Sequence, residues 1–187
     1  MTQKTTFTRE MIVEAAYQLT REVGWSAVTA RNIAAKLGSS TMPLYSSLKS
    51  MDEIEKEVRA KAEGCMHEFQ RKPYAPGDPL LSSAVGYVAF ARDERNLFRF
   101  LYVDRPVTPG REQGAGAAVD VEKVGGVVDL ADQAEVAMKD HRVLKSWAFT
   151  HGLASLISSG VIDLPDERIA SLLAEAGTAF FSQGGNG

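Results

Sequence analysis

Apolar residues recur every three to four positions along nearly all of this 187-residue chain, and no stretch alternates apolar and polar side chains long enough to form a strand. The pattern therefore predicts an all-α fold of about nine helices. Thr8 is placed to cap the first, with Phe7 packing on Ile12, and Ile12, Ala15, Ala16, Leu19 and Val23 form its apolar stripe up to Gly24. Thr29 caps a two-turn helix whose Ile33, Ala34 and Leu37 face inward, and Gly38 supplies the left-handed stop. Ser39 or Ser40 opens a third helix with Pro43 in its first turn, where a missing N–H costs nothing.

Ser50-Met51-Asp52-Glu53 reads as a capping box for a long helix burying Ile54, Val58, Cys65 and Phe69, broken by the Pro-rich tract Lys72 to Pro79. A fifth helix follows from Asp78-Pro79 to Ala91, and a short aromatic one from Asn96 to Val103. After a loop from Asp104 to Gly116, three more are expected at Ala117 to Met138, His141 to Ser159 and Pro165 to Phe181.

Charge divides the chain. Residues 1–50 hold six Lys or Arg against three Asp or Glu, a net of +3, whereas the whole chain carries −3. The division suits two parts that face different partners, although an excess of three charges over fifty residues also arises often by chance. No apolar run reaches the length of a membrane span, Met1 to Thr8 is polar, and the one cysteine, Cys65, cannot form an internal disulfide. A cytoplasmic protein without membrane partners is expected.

Two short helices joined across Leu37-Gly38-Ser39-Ser40 after a longer first helix have the form of a helix-turn-helix. Such a motif sets the start of its second helix against base edges in the major groove. Small Ser and Thr side chains allow close approach, Tyr45 can bond a phosphate, and Arg31 and Lys49 flank the segment with positive charge. Hairpins of this shape also occur in proteins that never touch DNA.

Thr29, Arg31, Ile33-Ala34, Leu37-Gly38, Ser40, Leu44-Tyr45, Leu48 and Asp52-Glu53-Ile54 together resemble the N-terminal domain of the TetR family of transcriptional regulators over Phe7 to Ile54. The resemblance implies a three-helix DNA-binding domain at residues 1–50 and a helical ligand-binding and dimerisation domain at 51–187. It carries base recognition to Thr41, Met42, Pro43, Tyr45 and Ser46, and backbone contact to Thr29, Arg31 and Lys49. This sequence departs from the family pattern at Met51, where Lys is frequent, and at Ser46 and Ser47, where bulkier or basic residues are common.

Further on, Trp147, His151 and Gly152 are similar to the Trp-His-Gly (WHG) signature of one TetR subgroup. Trp147 and His151 lie one turn apart on one helix face. They can contact a ligand, or His151 can be a hydrogen-bonded interior residue that fixes packing. Met66, Phe69, Tyr87, Phe90, Phe98 and Tyr102 are candidates to line the same cavity, or are plain core. Ile169, Leu172, Leu173, Ala176 and Phe180 give the last helix a stripe that, with the preceding helix, suits a four-helix interface between two copies.

Other motifs fail on context. Ser46 to Lys49 has the S-x-x-K spacing of acylated-serine enzymes without their partner motifs, Gly114-Ala-Gly116 lacks a preceding strand, and three dispersed histidines give no metal-ligand spacing. No catalytic residue, metal or cofactor is expected. The expected protein is a repressor that binds inverted-repeat, double-stranded operator DNA as a homodimer and is released by a small, largely apolar effector. The rivals are a helical ligand carrier or enzyme whose N-terminal hairpin is structural only, and an interaction module that has lost operator binding.

Overall fold

The computed structural model describes residues 7–41, 50–104 and 140–182. Every regular element among them is helical. In order they are α1 (Arg9–Val23), a 3₁₀ turn (Trp25–Ala27), α2 (Ala30–Lys36), α3 (Met51–Gln70), α4 (Pro79–Asp93), α5 (Arg95–Tyr102), α6 (His141–Ser158) and α7 (Asp166–Ser182). The expected helix at 117–138, the third helix beyond Thr41 and the loop beyond Asp104 lie outside the described residues.

The described residues fall into two compact units, those within Met1–Cys65 and Glu94–Arg105 and those within Met66–Asp93 and Pro106–Gly187. The chain thus passes from one to the other inside α3 and again between α4 and α5.

In the first unit the Thr8 hydroxyl accepts from the Met11 N–H at 3.3 Å, and Phe7 and Ile12 are both buried. The buried row of α1 then advances in steps of four through Ile12, Ala16 and Thr20. A row of that pitch drifts around the helix, so Val23, expected on the stripe, is instead 58% exposed. The same pitch corrects α3: its buried row is Ile54, Val58, Ala62, Met66 and Gln70, while Cys65 and Phe69 are only half-buried beside it. The Glu53 N–H donates to Ser50 Oγ at 3.2 Å as the capping box requires, and the Glu53 carboxylate pairs with Arg9 at 2.9 Å.

Helix α5 is bound tightly into this unit. Phe100 packs on Trp25 with centroids 4.9 Å apart, and the Arg59 guanidinium lies 4.5 Å above the same ring. Arg59 also donates to the carbonyls of Phe100 and Leu101, two acceptors of the last turn that the helix leaves unpaired. Arg21 Nε donates to Glu94 Oε2 at 2.7 Å, and Asn96 Nδ2 donates to the Arg21 carbonyl at 3.0 Å.

Helix α4 is the axis of the second unit, buried continuously from Val85 to Ala91 and packed by α6 and α7. A helix apolar on all sides has to be covered on all sides. Its start is capped by Asp78, whose carboxylate accepts from the Leu81 N–H at 2.9 Å. At its other end Arg92 donates to Asp166 at 2.7 Å and to the Leu164 carbonyl at 3.2 Å, fixing the connection between α6 and α7. Gly86 lets the last turn of α3 come close: a Cβ there would collide with the Phe69 carbonyl oxygen and stand 2.7 Å from Gln70 Cα.

Candidate functional site

The described residues among those expected to bind DNA or a ligand fall in both units. In the first, the Thr29 hydroxyl accepts from the Asn32 N–H at 3.1 Å and Asn32 Nδ2 donates to the Ala27 carbonyl at 2.7 Å, so the start of α2 is locked from both sides. Gly38, at φ 67, ends α2 with its N–H on the Ala35 carbonyl, while the Ser39 N–H reaches Ala34. Only a residue without Cβ takes that φ at low cost, which is why the turn is legible in sequence. Thr29 and Arg31 are exposed and Thr41 is half-buried. Met42, Pro43, Tyr45, Ser46 and Lys49 lie outside the described residues.

Much of the positive charge around α1 to α3 is already paired. Lys36 holds Glu22 at 2.8 Å, Lys61 holds Glu14 at 2.7 Å and Arg59 holds Glu55 at 3.1 Å. Arg9 sits between Glu53 and Glu57, which raise its pKa, the hydrogen bond with Glu57 being the larger cause. Among the described residues, the pairs that set acids from beyond residue 50 against the excess of +3 are those of Arg9 with Glu53 and Glu57 and of Arg21 with Glu94.

Those of the second unit centre on α4 and α6. Tyr87 Oη and His151 Nδ1 share a hydrogen bond at 2.9 Å, and the Trp147 ring stacks on His151 with centroids 5.8 Å apart and planes 18° apart. Burial pushes the His151 pKa down, favouring the neutral ring. Phe90 meets Phe69 edge-on at 5.8 Å, and Met66 is buried. Six of the eight expected ligand residues, namely Met66, Phe69, Tyr87, Phe90, Trp147 and His151, therefore belong to one unit. Phe98 and Tyr102 belong to the other, where they pack on each other at 5.3 Å.

Two features of this cluster are not apparent from the sequence pattern. Gln70 closes the buried row of α3, and its Oε1 is buried without a hydrogen-bond partner, as is Trp147 Nε1. Each orphaned atom costs about 1–3 kcal/mol of desolvation. The signal for Gln70 was a polar residue four positions after Met66, on an otherwise apolar row. Gly86 is the other, since a helical glycine gives no local sign of what it packs on. Among the described residues no group of His, Cys, Asp or Glu is arranged to hold a metal, and no helix is long and apolar enough to cross a membrane.

Residues 80–179, which hold α4 to α6 and most of α7, match the family model of the tetracyclin repressor-like C-terminal domain. The chain belongs to the TetR family. It is a TetR-type regulator with the all-helical architecture that the sequence led one to expect, and the matched residues include the Tyr87–His151–Trp147 cluster. No curated protein matches the chain.

Proposed function

We propose that this TetR regulator is a ligand-responsive repressor, acting in the cytoplasm as a homodimer on an inverted-repeat operator and released by a small molecule. Family membership through residues 80–179 carries the reading. The locked Thr29–Gly38 segment supports it, since a helix-turn-helix needs a rigid first helix and a tight turn to aim the second. Thr29, Arg31 and Lys49 are assigned to the DNA backbone, and Thr41, Met42, Pro43, Tyr45 and Ser46 to base readout.

In the second unit Met66, Phe69, Tyr87, Phe90, Trp147 and His151 are assigned to the effector. Trp147, His151 and Gly152 we read as the Trp-His-Gly signature. Helix α3 carries Met66 and Phe69 near one end and Ile54 and Val58 of the first unit near the other. An effector that prefers one setting of α3 need differ in affinity between the two by only about 1–3 kcal/mol to change operator binding. No enzymatic role is assigned.

Selection of bound DNA from a random pool tests the reading, and an inverted repeat is the expected outcome. On that repeat Lys49→Ala should weaken specific and non-specific binding together and lower the salt slope by about 1 for each phosphate that the lysine had neutralised. Thr41→Ala should change sequence preference instead. Recovery of unrelated sequences with no repeat would sink the operator-binding reading.

A further inference from the structure

Within the first unit, α1 and α3 run side by side in one direction, because their paired side chains climb together. Arg9 meets Glu53 and Glu57, Glu14 meets Lys61 at 2.7 Å, and Tyr17 hydrogen-bonds Cys65. The first of these rungs is the most elaborate. Arg9 Nη1 pairs with Glu53 Oε2 at 2.9 Å, while its Nε donates to Glu57 Oε1 and its Nη2 pairs with that same oxygen. Glu53 and Glu57 stand four residues apart on one face of α3, so a single planar guanidinium grips two successive turns of that helix.

Glu53 has a second task. Its N–H donates to Ser50 Oγ at 3.2 Å and closes the first turn of α3, so one residue joins the cap of α3 to the clamp on α1. The residues assigned to base readout, and Lys49, fall in the chain between Gly38 and Ser50. At Gly38 the backbone is fixed by its own bonds, from the Gly38 N–H to Ala35 and from the Ser39 N–H to Ala34. At Ser50 it is fixed through Glu53, and hence by Arg9. Hydrogen bonds to base edges fail when donor and acceptor drift apart by about 1 Å, whereas attraction to phosphates falls off gently with distance.

We propose that Arg9 is a positioning residue for operator recognition: by gripping Glu53 and Glu57 together it sets the first turn of α3 against α1, and so holds the Ser50 end of the base-reading segment. In this role it touches neither base nor phosphate. The proposal rests on the operator-binding reading. Exposed ion pairs contribute little singly, and the side chains of Glu53 and Glu57 are 44% and 42% exposed, so charge alone would not single out Arg9. The geometry does, since two carboxylates share one guanidinium and one of them belongs to the residue that carries the cap. The Lys61–Glu14 pair joins the same two helices with similar exposure but farther along α3 from Ser50, which makes it the matched control.

The test measures the affinity of the full chain for the selected inverted repeat and for a scrambled duplex of the same composition, over a salt series and well below the melting temperature of each variant. Arg9→Met should lower the ratio of the two affinities about fivefold, the reach of an exposed network of charges, while binding to scrambled DNA and the salt slope stay as in the parent. Arg9→Lys keeps the charge but cannot span both carboxylates, and should lose nearly as much. Glu53→Gln leaves the Ser50 cap in place and makes the surface less acidic, yet should lower the ratio too. Lys61→Met removes a cation from the same pair of helices and should leave the ratio unchanged.

Three results overturn the assignment while the parent still discriminates between the duplexes. Loss of specific and scrambled binding together in Arg9→Met, with the salt slope lowered by about 1 and restored by Arg9→Lys, would make Arg9 a phosphate contact. An unchanged ratio in both Arg9→Met and Glu53→Gln would confine the clamp to stability. An equal fall in Lys61→Met would assign the effect to the packing of α1 on α3 at large. A parent that does not discriminate removes operator binding itself, and this role of Arg9 with it.

Discussion

Glu94 is the buried carboxylate among the described residues, and its fate depends on one partner. Its side chain is 9% exposed whereas that of Arg21 is 47% exposed, so the two ends of the ion pair are not equivalent. The bond to Glu94 raises the Arg21 pKa, and the pair fixes the first residue after α4 to α1. Removing the arginine strands a charge that water reaches poorly; removing the acid frees a guanidinium that water reaches easily. Arg21→Met should therefore cost about 3 kcal/mol in urea unfolding, and Glu94→Gln about 1 kcal/mol. Equal costs, or the reverse order, would show that the pair is a solvated surface contact. Nothing local in the sequence announces this bond, which joins residues 73 positions apart. The caps at Thr8, Thr29, Ser50 and Asp78 were legible because each side chain accepts from the backbone N–H three residues on.

At the scale of elements, periodicity identified the helices while leaving their buried faces open. α3 shows why. A stripe chosen by hydrophobicity alone picks Cys65 and Phe69, whereas packing selects the four-residue row that ends in Gln70 and so puts a polar group inside. The ligand-side expectation was split for a related reason: aromatic residues at helical spacing look alike whether they follow α4 or belong to α5, and only the folded chain assigns Phe98 and Tyr102 to the first unit. Where α3 meets α4, the approach rests on Gly86. Gly86→Ala would force backbone against backbone, at Phe69 and Gln70, and should cost about 2 kcal/mol even after the gain of about 1 kcal/mol in helix propensity. Gly64→Ala is the control. Nothing stands within 4 Å of its Cβ position in the middle of α3, so it should be neutral or stabilising by up to about 1 kcal/mol. Chemical unfolding of the two variants separates the effects. If both gain stability, the close approach at Gly86 is wrong.

For the whole molecule, the last two helices leave large apolar side chains exposed among the described residues. On α6, Phe149 and Leu156 are 37% and 46% exposed, with Gly152 exposed between them at helical spacing, and on α7 Phe181 is 46% exposed. Phe149 meets Phe180 edge-on at 6.2 Å, so the two helices hold this face in one piece. Proposed as the site where a second copy docks, it gives two recognition helices for one inverted repeat. Neighbouring residues of α6 supply a test that separates interface from core, since Leu156 is exposed in the single chain and Ile157 is fully buried. Leu156→Glu puts its charge in water when the chain is alone, but in an apolar contact when two copies meet, at a cost of several kcal/mol. That variant should melt cooperatively near the parent at low concentration, sediment as a monomer, and bind an inverted repeat far more weakly than the parent while retaining non-specific binding. Ile157→Glu should fail to fold. A Leu156→Glu chain that sediments as an unchanged dimer would place the interface on another face, and one that unfolds like Ile157→Glu would make Leu156 part of the core despite its exposure.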